Sequence, residues 1–167
     1  VLVGTVSPEG RPSTRTVLLK DLRQGEFIFY TNYESRKGKH LSQNPFISLS
    51  FVWHQLERQV HIEGVAHQVS ASESDAYFNQ RPYKSRIGAR ISPQSRPIKN
   101  RMQLITSFVK EATRWAGKEV ERPEHWGGYA VIPHRIEFWQ GRRNRLHDRF
   151  LYTLQPNGEW KKDRLAP

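Results

Sequence analysis

The sequence contains no cysteine, which excludes disulfide bridges and thiolate metal sites and fits a reducing compartment. Long apolar runs are also missing: no stretch approaches the length of a membrane span, and no signal-peptide pattern opens the chain. We therefore expect a cytoplasmic protein with no membrane partner. Acidic residues are scarce, with 16 Asp and Glu against 27 Lys and Arg, and the formal net charge of +11 predicts anionic partners.

Several catalytic signatures are absent as well. The sequence has no G-x-S-x-G elbow, no H-E-x-x-H pair, and no Walker or Rossmann glycine pattern. No zinc, RNP or helix-turn-helix motif for nucleic acid is visible, and the basic residues are scattered in pairs, so small phosphorylated ligands explain them at least as well. A site where a cofactor carries the reaction typically lacks a nucleophile and contains arginines, lysines, serines, glutamines and aromatics.

The pattern of short β-rich runs predicts one mainly β domain over residues 1–167, with helices beside the strands. Strands are predicted at residues 1–6, 12–20, 26–31, 46–53, 57–69, 129–132, 135–140, 147–154 and 160–164, with turns at 7–10, 21–25 and 157–158. Because the chain opens directly on a strand, we also expect a leading segment to be missing.

Four helices are predicted between these strands. The first covers residues 35–41 with Ser35 as its N-cap, and the second opens at Ser72 with Asp75 at the capping-box distance. The third follows Pro82, and the fourth covers residues 100–115. In the fourth, helical spacing predicts an apolar packing stripe made of Met102, Ile105, Phe108, Val109 and Ala112.

The connection over residues 139–149 combines an aromatic ring, a glycine, several arginines and a histidine. If the segment is extended, alternation places Arg145 and His147 on one side, where a guanidinium and an imidazole suit a planar charged ligand. A solvated basic hairpin tip is the alternative. His147 could serve as a general base, but Asp148 would then point to the opposite face.

A second candidate lies at the predicted helix start, where Arg36 and Lys37 occupy the first turn. Cations are unfavourable there for the helix dipole, whereas a bound anion would use the free N–H groups and both cations together. We therefore favour a phosphate site over a solvated basic helix start.

A third candidate consists of Tyr77, Arg81 and Ser85, which a continuous helical path would place on one face. These side chains could hold a phosphate, or could equally form an exposed helix face. His61 and Glu63 have no third ligand at a recognisable spacing, so we interpret them as surface polar residues and predict no metal site.

Taken in order, the motifs resemble the pyridoxine/pyridoxamine 5′-phosphate oxidases. The resemblance covers essentially the whole chain and rests on Arg15-Thr16-Val17-Leu18-Leu19-Lys20, Ser35-Arg36-Lys37, Arg81-Pro82, Gln94-Ser95, Trp126-Gly127-Gly128 and Arg145-Leu146-His147-Asp148-Arg149. It implies a Greek-key split β-barrel that binds FMN and forms a homodimer, with sites at the dimer interface and no nucleic-acid partner. The family's usual N-terminal segment is not present in this sequence.

The resemblance also implies a role for individual residues. FMN would be bound by Arg15, Thr16, Val17, Leu18, Leu19, Tyr30, Thr31, Arg36, Lys37, Gln59, Gln94, Ser95, Trp139 and Arg149. The substrate phosphate would be bound by Lys20, Tyr77, Arg81 and Ser85, and the substrate ring by Arg145, Leu146 and His147. Arg145 and His147 would be the catalytic pair.

The implied reaction oxidises pyridoxine 5′-phosphate or pyridoxamine 5′-phosphate to pyridoxal 5′-phosphate, with O2 as the final acceptor and H2O2 as the by-product. Two alternatives stay open. One is a related split-barrel flavin oxidase of the phenazine-biosynthesis type, although Lys20, Tyr77, Arg81 and Ser85 favour a phosphorylated substrate. The other is a non-enzymatic module that binds flavin, vitamin B6 or nucleic acid.

Overall fold

The computed structural model describes all 167 residues and contains nine strands, four α-helices and two short 3-10 turns. The strands are β1 (Leu2–Val6), β2 (Pro12–Thr16), β3 (Leu19–Arg23), β4 (Glu26–Asn32), β5 (Phe46–Trp53), β6 (Arg58–Gln68), β7 (Trp126–Gln140), β8 (Asp148–Leu154) and β9 (Trp160–Arg164). The helices are α1 (Arg36–Gln43), α2 (Ala71–Gln80), α3 (Tyr83–Ile91) and α4 (Arg101–Arg114), and the 3-10 turns are His54–Leu56 and Arg143–Arg145.

All nine strands belong to one sheet, in the order β2-β1-β5-β6-β7-β4-β3, with β8 added to β7 and β9 added to β8. The predicted mainly β class with flanking helices is therefore confirmed. Strand pairs such as β1 with β5 and β5 with β6 are antiparallel. On β5, Ile47 and Leu49 are buried and Ser48 between them is exposed, while Trp53 at the end of the same face is 45% exposed.

Two strand predictions are wrong. The expected strand 12–20 is broken after Thr16, and Leu19–Arg23 forms β3, which pairs with β4 instead of continuing β2. The turn is restricted to Gln24 and Gly25, both with positive φ. The expected strands 129–132 and 135–140 are one strand of 15 residues. Pro133 does not interrupt it, because the fixed φ of proline is compatible with an extended backbone.

The four predicted helices are present, but one start differs. Ser35 caps α1 as expected, since its Oγ accepts the Gly38 N–H at 3.3 Å. The capping box of α2 involves Ser70 and Glu73, not Ser72 and Asp75, so the N-cap lies two residues earlier than expected. Both pairs satisfy the same spacing rule.

Contacts divide the chain into two compact units. The first comprises residues 1–29, 40–67 and 130–167, and its interior contains Val3, Ile28, Leu49, Ile62 and Val131. The second comprises residues 30–39 and 68–129. Its core consists of Phe78, Ile87, Ala89, Val120 and Trp126.

Helix α4 belongs to the second unit and departs from the predicted packing. Phe108 and Ala112 pack against the core of that unit, as expected. Met102, Ile105 and Val109 are 62%, 44% and 58% exposed. Only two of the five residues of the predicted apolar stripe therefore pack against the core within this chain. No helix has the length and apolar character needed to span a membrane.

Candidate functional site

The predicted anion site at the start of α1 is built around a buried lysine. Lys37 is only 7% exposed, and its ammonium donates hydrogen bonds to Thr31 Oγ1 at 2.8 Å, Gln94 Oε1 at 2.9 Å and Ser35 Oγ at 3.1 Å. All three oxygens are neutral, and these bonds orient the ammonium. The second unit therefore holds a fixed positive charge at a helix N-terminus, where an anion is favoured.

The residues around Lys37 also suit an anion site. Arg36 is exposed on the first turn, and that turn contains no acidic residue. Gly38 allows close packing, because an added Cβ would collide with the carbonyl oxygen of Tyr33. Ser95 adopts a positive φ of 69°, which gives the 94–95 loop a sharp bend next to Gln94. Thr31, Lys37 and Gln94, three of the residues assigned to FMN, thus lie together.

The second cluster is a stack of aromatic rings in the same unit. The rings of Tyr30 and Tyr77 lie 3.9 Å apart and 16° from parallel, and Trp126 is nearly parallel to both, at 5.5 Å from Tyr30 and 6.2 Å from Tyr77. The guanidinium carbon of Arg81 lies 4.5 Å from the centre of the Trp126 ring. Tyr77 and Arg81, both assigned to the substrate phosphate, therefore lie beside the same tryptophan.

Arg81 has an unsatisfied donor. Its Nη1 atom is buried and has no hydrogen-bond partner, and burial lowers the pKa of the guanidinium. A buried donor without a partner is costly, and Arg86 Nε is a second buried donor of this unit without one. The donor set suits an oxyanion, because a guanidinium binds phosphate through charge-assisted hydrogen bonds.

The continuous helical path through Tyr77, Arg81 and Ser85 is not present. Helix α2 ends at Gln80, Arg81 and Pro82 are extended, and α3 starts at Tyr83. Pro82 causes the break, because its ring disfavours the helical region for the preceding residue. Ser85 is exposed in the first turn of α3, where its N–H bonds to the Pro82 carbonyl.

In the first unit, three of the assigned residues line one pocket of about 210 Å³: Gln59, Trp139 and His147. The rings of Trp139 and His147 lie 4.8 Å apart at a tilt of 41°. Gly141 closes the base of this pocket: its N–H donates to the Glu57 carbonyl at 2.7 Å, and an added Cβ would approach the Glu57 side chain to 2.7 Å.

The expectation of an extended strand through Arg145 and His147 is wrong. Residues Arg143–Arg145 form a 3-10 turn, in which Asn144 and Arg145 have positive φ, and β8 begins only at Asp148. Alternation therefore cannot place Arg145 and His147 on one face. Arg145 and Leu146 are exposed, whereas His147 is half-buried against Trp139.

The same loop fixes the hydrogen-bonding state of His147. The backbone N–H of Arg142 donates to His147 Nδ1 at 3.1 Å. An amide N–H can only donate, so Nδ1 is the acceptor and the neutral imidazole carries its proton on Nε2. The Arg142 side chain forms an ion pair with Asp148 at 2.8 Å, and hydrogen bonds from Arg142 and Arg164 lower the pKa of Asp148.

Arg149 and Glu137 form a further ion pair, on β8 and β7. Arg149 Nε donates to Glu137 Oε1 at 2.7 Å, and Nη1 donates to the Ala166 carbonyl at 3.0 Å. Hydrogen bonding from Arg149 lowers the pKa of Glu137. Arg149 lies opposite Trp139 in the strand register, so these two residues assigned to FMN are neighbours.

The remaining assigned residues, 15–20, extend from the end of β2 through a short connection to the start of β3. Arg15 donates to Thr5 Oγ1 at 2.7 Å, Ser13 Oγ at 2.6 Å and two carbonyl oxygens, so its guanidinium is held against β1. Thr16 ends β2, Val17 and Leu18 connect the strands, and Leu18 is 69% exposed. Leu19 opens β3, and the pairing with β4 shifts between Leu19 and Asp21, which makes Lys20 the residue of a bulge.

His61 and Glu63 make contacts within the sheet. The imidazole of His61 lies 3.1 Å from Ser50 Oγ and 2.9 Å from Gln59 Oε1, and Glu63 forms an exposed ion pair with Arg135. The structure contains no cluster of three or more His, Asp or Glu side chains that could hold a metal ion.

Sequence reasoning missed two residues of these clusters. Ser35 was expected only as a cap, yet its hydroxyl also accepts from Lys37. Trp126 lies before the strand predicted at residues 129–132, yet it begins β7 and lies beside both Tyr77 and Arg81. No local pattern marks either role, because both depend on contacts between distant segments.

Two family models match the chain. Residues 1–116 match the family model described as pyridoxamine 5′-phosphate oxidase, and residues 126–167 match the model of the pyridoxine 5′-phosphate oxidase C-terminal dimerisation region.

The chain belongs to the pyridoxamine 5′-phosphate oxidase family.

It is therefore an oxidoreductase of that family. A pyridoxine/pyridoxamine 5′-phosphate oxidase of Bacteroides fragilis is 80% identical over 167 residues, which are 100% of this chain and 71% of that protein. A protein of the same name from Porphyromonas gingivalis is 60% identical over 100% of this chain and 78% of its own length.

Solved structures give the same fold class. PhzG from Burkholderia lata, in complex with tetrahydrophenazine-1-carboxylic acid, superposes with a TM-score of 0.93 at 29% identity, over 99% of this chain and 81% of that one. An FMN-binding protein related to pyridoxamine 5′-phosphate oxidase, from Nostoc punctiforme, has a TM-score of 0.79 at 18% identity, over 99% and 86% of the two chains. These similarities confirm the predicted fold class.

Proposed function

We propose that this protein oxidises pyridoxine 5′-phosphate and pyridoxamine 5′-phosphate to pyridoxal 5′-phosphate, with FMN as its cofactor and O2 as the final electron acceptor. The observation that carries the substrate class is Arg81, whose buried Nη1 has no partner in the protein. A neutral substrate would leave this cation unpaired, whereas a phosphate monoester satisfies both its charge and its donor.

The protein has two separate groups of cations, which fits the presence of two phosphate groups, one on the cofactor and one on the substrate. Lys37, held by Thr31, Ser35 and Gln94 at the start of α1, fits the phosphate of FMN. Arg81 with Tyr77 fits the phosphate of the substrate. We assign Arg36 to the FMN phosphate as well, Arg15 and Ser95 to FMN, and Lys20 and Ser85 to the substrate phosphate.

The pocket of the first unit supplies groups for planar rings. Gln59 and Trp139 line it with His147, and we assign the first two to FMN and the third to the substrate ring. FMN, when bound, would accept the two electrons that leave the C4′ atom of the substrate, and O2 would be reduced to H2O2. The protein groups orient the reacting partners and set the local charge.

His147 acts in this scheme as a hydrogen-bond donor. With Nδ1 occupied by the Arg142 N–H, its available nitrogen is Nε2, which carries the proton. Such a group donates to an acceptor on the substrate ring and does not abstract a proton. Arg145, exposed on the adjacent 3-10 turn, is free to approach the same ring as a cation. The protein works as a homodimer, which the match to the family's dimerisation region supports.

A second candidate function is oxidation of a phenazine precursor. The TM-score of 0.93 with PhzG favours it, because that structure contains a tetrahydrophenazine carboxylic acid. Such a ligand carries a carboxylate and no phosphate monoester. The unpaired Arg81 donor and the 80% identity to a B6-phosphate oxidase both favour the phosphorylated substrate.

The absorption spectrum of the FMN-loaded protein tests the proposal. We expect the flavin band to bleach when pyridoxine 5′-phosphate is added without oxygen, and to return with formation of H2O2 when air is admitted. Unphosphorylated pyridoxine at the same concentration is the control and should bleach the band much more slowly. If the flavin band stays unchanged with both B6 phosphates but bleaches when a reduced phenazine carboxylate is added, the second function is the correct one.

A further inference from the structure

The aromatic stack of the second unit contains a residue with no assigned role, Trp126. Its ring is 6% exposed and contacts Tyr77 in a nearly parallel arrangement, at 6.2 Å and 7°. Phe78 packs edge-on against its other side at 5.2 Å and 67°. The indole is thus buried against several aromatic rings and provides an aromatic surface inside the unit.

The backbone of Trp126 is fixed as well. Its carbonyl oxygen accepts a hydrogen bond from Arg122 Nη1 at 2.7 Å, and its N–H donates to the Pro123 carbonyl at 3.0 Å. Arg122 is anchored in turn by an ion pair with Asp75 at 2.6 Å. The position of the indole is thus determined by both its main chain and its neighbours.

Arg81 depends on this surface. Its guanidinium carbon lies 4.5 Å from the centre of the Trp126 ring and 5.8 Å from that of Phe78, while Nη1 has no hydrogen-bond partner. A cation over an aromatic face is attracted by the ring quadrupole, most strongly over tryptophan. The ring can therefore hold the guanidinium in place without consuming its hydrogen-bond donors.

A second arginine–tryptophan pair in the same unit shows the contrast. The guanidinium carbon of Arg90 lies 4.6 Å from the Trp115 ring, in nearly the same geometry. There, Arg90 Nε donates to Glu111 at 2.7 Å and Nη1 donates to the Glu121 carbonyl at 2.6 Å. Two donors of Arg90 therefore bind the protein itself, whereas Nη1 of Arg81 has no hydrogen-bond partner in the protein.

We propose that Trp126 is a positioning residue for the substrate phosphate: it holds the Arg81 guanidinium and the Tyr77 ring in the orientation that receives the phosphate oxygens. This inference rests on the proposed function, since it takes Arg81 and Tyr77 as phosphate ligands. Trp126 does not touch the reacting atoms, so its loss affects binding of the phosphate group and leaves the oxidation step itself unchanged.

The test compares Trp126→Phe, Trp126→Leu and the matched control Trp115→Leu in the FMN-loaded protein. We expect Trp126→Leu to raise the KM for pyridoxine 5′-phosphate by roughly 3- to 30-fold, which corresponds to the range from an exposed to a desolvated cation–π contact. The kcat should change by less than about twofold, because the interaction is equal in the ground and transition states. Trp126→Phe keeps an aromatic face and should restore most of the affinity, and Trp115→Leu should leave KM unchanged.

A binding measurement without turnover separates this inference from the proposed function. Inorganic phosphate is the probe, and calorimetry on the FMN-loaded protein gives its dissociation constant. We expect Trp126→Leu to weaken phosphate binding by the same factor as it raises KM, while Trp115→Leu binds as the wild type does. Equal phosphate affinity in wild type and Trp126→Leu, or an effect of Trp115→Leu as large as that of Trp126→Leu, overturns the role of Trp126.

The wild-type protein gives the third arm. In one outcome the wild type binds phosphate, and affinity is lost in Trp126→Leu, yet the wild type oxidises no B6 phosphate. That result would refute the proposed reaction and leave the positioning role of Trp126 intact. Trp126→Phe guards against loss of folding in Trp126→Leu, because it preserves most of the buried volume. A Trp126→Phe variant with retained thermal midpoint and an affinity between those of wild type and Trp126→Leu supports the inference.

Discussion

Lys37 Nζ lies 2.9 Å from the Oε1 atom of Gln94, a residue 57 positions further along the chain. The same Oε1 accepts the Thr31 hydroxyl at 3.3 Å, so one amide oxygen connects the end of β4, the start of α1 and the 92–97 loop. This amide holds a buried ammonium in one orientation. The Lys37 ammonium is therefore already oriented when an anion binds at the start of α1.

Replacing Lys37 with methionine should therefore weaken FMN binding. A hydrogen bond to a charged group contributes about 1.5–3 kcal/mol, so the dissociation constant should rise roughly 10- to 100-fold. Quenching of flavin fluorescence during titration of the apoprotein measures it. Lys39→Met is the matched control, because Lys39 is an exposed lysine on the same helix. If both variants lost affinity equally, the effect would come from net charge and the assignment of Lys37 would be wrong.

The extent to which the sequence predicts this site depends on the distance between its parts. Ser35 as the cap and the cations at Arg36 and Lys37 follow from local rules, and the N-cap is confirmed. The contribution of Gln94 has no local signal, since only tertiary folding brings its amide to Lys37. The family resemblance placed Gln94 at the cofactor, but not its contact with the lysine.

Local rules failed where two solutions satisfied them equally. The Ser-x-x-acid spacing occurs at Ser70 and at Ser72, and the structure uses the first. Alternation at Arg145 and His147 assumed an extended backbone, whereas Asn144 and Arg145 adopt positive φ in a 3-10 turn. Asparagine tolerates that conformation, but arginine rarely adopts it, so the sequence carries no clear signal for the turn.

That turn supplies a matched pair for the second prediction. Arg145→Glu should lower kcat roughly 100-fold, the usual effect of removing a charged group aimed at the reacting ring, and should leave FMN bound. Arg143→Glu changes the charge by the same amount on the same turn and should alter kcat by less than about threefold. Steady-state assays with pyridoxine 5′-phosphate, together with the flavin spectrum, decide the matter. Equal losses in both variants would mean that only the charge of the loop matters.

The hydrogen bond from the Arg142 N–H to His147 gives a third prediction. If His147 acts through Nε2–H, glutamine can replace it in part, because the amide nitrogen of glutamine reaches the Nε2 position. Asparagine places its amide nitrogen near Nδ1 and should not. We expect His147→Gln to keep roughly tenfold more kcat/KM than His147→Asn, the equivalent of one neutral hydrogen bond. Equal activity in the two variants would contradict the donor role.

The ion pair between Glu137 and Arg149 makes stability depend on pH. Hydrogen bonding from Arg149 lowers the pKa of Glu137 in the folded protein below the value of about 4.3 in an unfolded chain. A lowered carboxyl pKa contributes stability that is present above the unfolded value and is lost as the pH falls through the folded value. The contribution should be at most about 1 kcal/mol, or roughly 2–4 °C in the thermal midpoint.

Thermal unfolding of Glu137→Gln at several pH values measures this contribution. The midpoint of the variant should lie below that of the wild type near neutral pH. The difference should begin to shrink as the pH falls below the unfolded value of about 4.3, and should be lost as the pH falls through the lower folded value, where the wild-type carboxylate becomes protonated. Glu63→Gln is the control, since its ion pair with Arg135 is about half exposed and contributes little. A difference that persisted unchanged into acid would show that lost packing, not the ion pair, destabilises Glu137→Gln.

Two adjacent residues on α4 test how the helix packs. Phe108 packs against the core of the second unit, whereas Val109 is 58% exposed, although both belong to the apolar stripe that the sequence predicts. Phe108→Ala should lower the free energy of unfolding by about 2–3 kcal/mol, less than for a fully buried ring because the side chain is only partly buried. Val109→Ala should change it by less than about 0.5 kcal/mol. Urea denaturation of the FMN-free protein measures both values. A Val109→Ala variant that lost as much as Phe108→Ala would mean that Val109 is covered in solution, and dilution of the sample would then reveal whether a second copy covers it.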